Sequence, residues 1–90
     1  MSHKEKIASA GNVLVPAFLS LKEMGYLVER VKSDSPDGKD FWRAENEQLE
    51  LIAEDPVTLL ALATIYATRG KNWKASDSEI DDFIEKYEKL

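Results

Sequence analysis

The chain has 90 residues with 43% hydrophobic and 32% charged side chains, a formal net charge of −5 and no cysteine. That composition is that of an ordinary folded domain and not of a disordered segment. It excludes disulfides, thiolate catalysis and thiolate-held metals, and acidity disfavours general binding to nucleic acid backbones or anionic membranes. Ninety residues make one domain that buries roughly 60–65% of its unfolded surface, enough for a modest core. Absence of cysteine fits a reducing cytoplasm. The only small-residue site near the N-terminus, Ala8-Ser-Ala10, precedes the apolar run Val13–Leu19 instead of following it, so a signal peptide is not expected. No stretch reaches the ~20 apolar residues of a membrane span.

Residues 1–12 have weak periodicity and read as a flexible lead-in to a domain over 13–90. From Leu14, the positions Leu14, Ala17, Phe18 and Leu21 follow helical spacing, with Pro16 in the first turn and Gly25 as a left-handed stop. Three extended segments follow: Tyr26–Val31, Asp40–Ala44 and Gln48–Ala53. The first link contains Ser33-Asp-Ser-Pro-Asp-Gly38, in which proline presets a turn dihedral and glycine accepts positive φ. The second is the polar Glu45-Asn-Glu47. Two hairpin links in succession predict a three-stranded antiparallel meander.

Asp55-Pro56 then opens a helix with a capping carboxylate followed by proline at the first helical position. From Val57 to Ala67 the segment is apolar nearly all round, diluted only by threonine, which predicts a central helix covered on several sides. It ends at Arg69-Gly70. The expected fold is therefore α+β in the order α-β-β-β-α-α, with helices on one face of a small sheet.

The tail Ser76–Leu90 places acids at Asp77, Glu79 and Asp81, a spacing that imitates a calcium loop. Such a loop demands glycine at its sixth position, where Asp82 stands. Ile80, Phe83, Ile84 and Tyr87 instead trace an amphipathic stripe, and Ser76-x-x-Glu79 is a capping box. The tail is thus a capped helix with its apolar side expected to be hidden, and no metal site or cofactor is expected.

Two surfaces remain as binding candidates. The acidic run Glu45, Glu47, Glu50, Glu54 and Asp55 beside Trp42 has the make-up of a docking surface with an aromatic anchor for a basic protein; Trp42, Glu45, Glu47 and Glu50 are its core. The loop Arg69-Gly-Lys-Asn-Trp-Lys74 leads into a helix start, and Arg69, Lys71, Trp73 and Lys74 are the alternative as an anion site. That loop lacks every phosphate-cradle spacing. A dimer through the small stripe Val57, Ala61, Thr64 and Thr68 is a third reading. Catalytic residues are not expected, because the only histidine is His3 and there is no cysteine nucleophile. The composition suits a small, cytoplasmic, non-catalytic interaction domain with a protein partner, such as an inhibitor or immunity-type protein.

Overall fold

The computed structural model describes residues 4–9, 11–34, 36 and 38–88. Its elements run in the expected order: α1 (Leu14–Glu23), β1 (Leu27–Val31), β2 (Phe41–Glu45), β3 (Glu50–Ala53), α2 (Pro56–Arg69) and α3 (Asp77–Phe83). A 3₁₀ turn, Gly70–Asn72, links the last two helices, and Ile84–Glu88 continues α3 as a π-helical turn. The strands form one antiparallel sheet in the order β1-β2-β3. No helix among the described residues is long and apolar enough to cross a membrane.

Each boundary has a local cause. α1 stops where Gly25 takes φ +96°, and the Tyr26 amide donates back to the Leu21 carbonyl at 3.0 Å. β3 starts two residues later than its alternation suggests. The Asn46 carboxamide oxygen accepts from the Gln48 and Leu49 amides at 2.9 and 2.8 Å, holding those residues in the turn. α2 opens as expected, with the Asp55 carboxylate accepting from the Thr58 amide at 2.7 Å and Pro56 inside the first turn. The turn expected at Ser33–Gly38 includes Ser35 and Asp37, which lie outside the described residues.

Register decides which side chains the two sheet faces carry. Val28 pairs with Ala44, Ala44 with Leu51, and Trp42 with Ala53, so these residues share one face. α1 and α2 pack side by side on that face. The core between them consists of Leu21, Ala44, Leu51, Leu59 and Ala63, with Tyr26, Val28, Trp42 and Leu62 partly buried around it. Leu21, Ala44 and Leu59 are completely buried.

α2 departs from expectation on its outer side. Val57, Ala61, Thr64 and Thr68 are exposed, although the all-round apolar sequence suggests cover. The Thr64 and Thr68 hydroxyls donate to the carbonyls of Leu60 and Thr64, at 2.9 and 3.0 Å, so both threonines satisfy their polarity within the helix.

α3 departs further. Every residue from Lys71 to Glu88 is exposed, and the helix packs mainly on its own continuation. Ile80, Phe83, Ile84 and Tyr87 are 44–66% exposed, so the apolar side expected to be hidden faces solvent. The radius of gyration is 16.5 Å, against about 12 Å for a compact chain of this length, with both α3 and the exposed N-terminal residues outside the core. Periodicity places the four side chains on one face correctly; among the described residues, no other element covers that face.

Candidate functional site

The sheet face turned away from the helices carries Leu27, Glu29 and Val31 from β1, Phe41, Arg43 and Glu45 from β2, and Glu50 and Ile52 from β3. Arg43 sits at its centre on the middle strand. Its guanidinium pairs with the Glu29 carboxylate on one neighbour and with Glu50 at 3.5 Å on the other. The Glu29 hydrogen bond, its charge, and the nearby charges of Glu45 and Glu50 hold the Arg43 pKa above its ordinary value. One cation thus serves three carboxylates, and the face stays net acidic. Glu45 and Glu47 make no ion pair among the described residues.

The sheet brings together only part of the acidic candidate. Glu45 and Glu50 are cross-strand partners on the open face, and Glu47 lies in the adjoining exposed turn. Trp42 alternates to the opposite, helix-covered side, half-buried, with its ring edge-to-face to Phe18 at 6.3 Å between centroids. Trp42 is therefore a wall of the core and cannot anchor whatever meets Glu45 and Glu50. Leu27, 71% exposed, and Ile52, 55% exposed, are the apolar side chains that flank those carboxylates. The central Arg43, with its two clamps, is invisible until strand register is known.

The basic loop is arranged differently from a converging anion cradle. Arg69 turns back on its own loop: its Nε donates to the Trp73 carbonyl at 2.9 Å, and a terminal nitrogen lies 3.5 Å from Glu79 Oε1. Lys74 lies over the Trp73 ring, 5.7 Å from its centroid. Lys71 stands on the rim of a groove. Of the four candidate residues, Arg69 thus braces the corner between α2 and α3, while Lys71 and Trp73 border the groove.

That corner is closed by the capping box. The Glu79 amide donates to Ser76 Oγ at 3.2 Å, and the Ser76 amide donates to Glu79 Oε1 at 2.8 Å. These bonds from Ser76, with the Arg69 charge, hold the Glu79 carboxyl below the usual glutamate range. The acids of the tail therefore start a helix, and no group of three or more metal-ligating side chains gathers among the described residues. His3 lies outside them.

A groove of about 330 Å³ runs along the outer edge of β3 and is the least open of the concave features. Leu49, Leu51 and Ile52 form one wall, Leu62 and Tyr66 of α2 the other, and Lys71, Trp73 and Glu50 border it. A shallower depression on the outer side of α2 is lined by Val57, Leu60, Ala61, Thr64 and Ile65. Sequence reading missed the groove, because its walls combine residues spaced across β3, α2 and the basic loop.

Compared with known protein families, curated proteins and solved structures, the chain matches none. Its function has to be read from these surfaces.

Proposed function

We propose that this chain is a small non-catalytic protein-interaction domain that presents the open face of its sheet to a basic protein partner. An inhibitor or immunity-type protein masking a cationic active site is the concrete form. The observation that supports it is the uncovered face itself, where Glu29, Glu45 and Glu50, with Glu47 in the adjoining turn, surround a single arginine between exposed Leu27 and Ile52. Acidic side chains around apolar contacts favour a partner of opposite charge, speed encounter, and reject polyanions. The Arg43 clamp fixes the orientation of Glu29 and Glu50 before any partner arrives, which lowers the entropy lost on binding.

The test is affinity capture from a native lysate, run in parallel with a Glu45→Lys, Glu47→Lys, Glu50→Lys variant. The wild-type chain is expected to retain a basic protein in stoichiometric amount, released by salt and lost by the variant. Capture of no basic protein, or equal capture by both chains, overturns the reading.

A further inference from the structure

We infer that the groove beside β3 receives α3 of a second copy of this chain, so that two chains exchange C-terminal helices. The chain exposes an apolar helix stripe and an apolar groove, and the two do not meet within one copy. None of Ile80, Phe83, Ile84 or Tyr87 lines the groove, although α3 begins only four residues after Trp73, which does.

Arg69 braces the short corner that carries α3 away from the groove. By bonding the Trp73 carbonyl and Glu79 together, it ties the end of α2 to the capped start of α3 and sets the corner between them. A neighbouring α3 is under no such restraint. Charge favours the same occupant: residues 56–76 carry Arg69, Lys71 and Lys74 and no acid, whereas residues 77–90 carry six acids against two lysines. Asp77 and Asp81 border one side of the stripe, and Lys71 stands on the groove rim, where the one acid, Glu50, is already paired with Arg43.

Four side chains, each about half exposed, present roughly 400 Å² of apolar surface, and the groove of about 330 Å³ receives their aromatic pair. The exchange is two-fold and closed, so it stops at a dimer. Phe83 and Tyr87, whose rings already lie 5.2 Å apart, are the pair of anchors.

Sedimentation velocity of the whole chain at micromolar and near-millimolar concentration tests this. A dimer is expected at the higher concentration, with its dissociation constant raised at least about tenfold by Phe83→Asp. The native near-ultraviolet spectrum of that variant checks that the body stays folded. A Glu45→Lys, Glu47→Lys variant, altered outside the groove, is expected to keep the dimer, which separates this inference from the acidic-face reading. Because the chain has no cysteine, mixing Lys71→Cys with Asp81→Cys chains and oxidising them reports the contact directly. Preferential formation of the mixed disulfide supports the exchange. A chain that stays monomeric at the higher concentration overturns it. So does a dimer that survives Phe83→Asp but is broken by Ala61→Asp on the outer side of α2.

Discussion

α2 and α3 are both capped helices with an apolar stripe, and they meet opposite fates in the same chain. α2 starts on a carboxylate cap and lays Leu59 and Ala63 into the core. α3 starts on a complete capping box and lays Ile80, Phe83, Ile84 and Tyr87 against solvent. Caps and periodicity are local properties and form either helix equally well. Cover depends on what the connecting segment allows. α2 follows β3 directly and falls back on the sheet, whereas the Arg69-tied corner holds α3 apart. A stripe therefore predicts that a face seeks a partner without naming the partner's chain.

The contrast can be broken in measurable ways. Leu59→Ala opens a cavity in the fully buried core and should destabilise the body by about 2–5 kcal/mol in urea unfolding followed through Trp42. Asp55→Ala orphans the Thr58 amide at the start of α2 and should cost about 1 kcal/mol in the same experiment. Ser76→Ala removes an equivalent bond from α3. Its cost, about 1 kcal/mol, should appear only as faster amide exchange over residues 77–88, with the urea midpoint of the body unmoved.

Acid should act at the start of α3. Glu79 has a depressed carboxyl pKa in the folded helix, so its contribution is complete above the ordinary glutamate value. That contribution is lost as pH falls through the lower, folded value. The Ser76 amide resonance, whose proton goes to the Glu79 carboxylate, is expected to move across that window. The smallest effect belongs to Phe83→Ala at high dilution. It removes no core contact and should change the urea midpoint of the single chain by less than about 0.5 kcal/mol equivalent. A large change there would show that α3 is packed against its own body.

Much of this architecture is legible in the sequence because it is written in short-range chemistry. Gly25 ends α1, Asp55-Pro56 starts α2, and Ser76 with Glu79 starts α3, each through bonds within a few residues. The meander follows from alternation and two polar links. Alternation misplaces the start of β3, because it does not reveal that the Asn46 side chain takes two amides out of the strand. The candidate surface divided for a related reason. Phe41, Trp42 and Arg43 put aromatic residues on both faces of one strand, so composition cannot say which ring faces the core. Glu29 and Glu50 come to Arg43 from strands 14 and 7 residues away, a relation that exists only once register is set. The exposed side of α2 is missed because its threonines read only as dilution of an apolar run.

Those threonines have a consequence for how water meets the molecule. With both hydroxyls turned inward to their own helix, Thr64 and Thr68 show their methyl groups outward, next to Ala61 and Val57. A solvent molecule approaching that flank finds few donors or acceptors, and behaves there much as it would at a valine-lined wall. The chain thus keeps a largely hydrocarbon-like strip on its outside, threonines included.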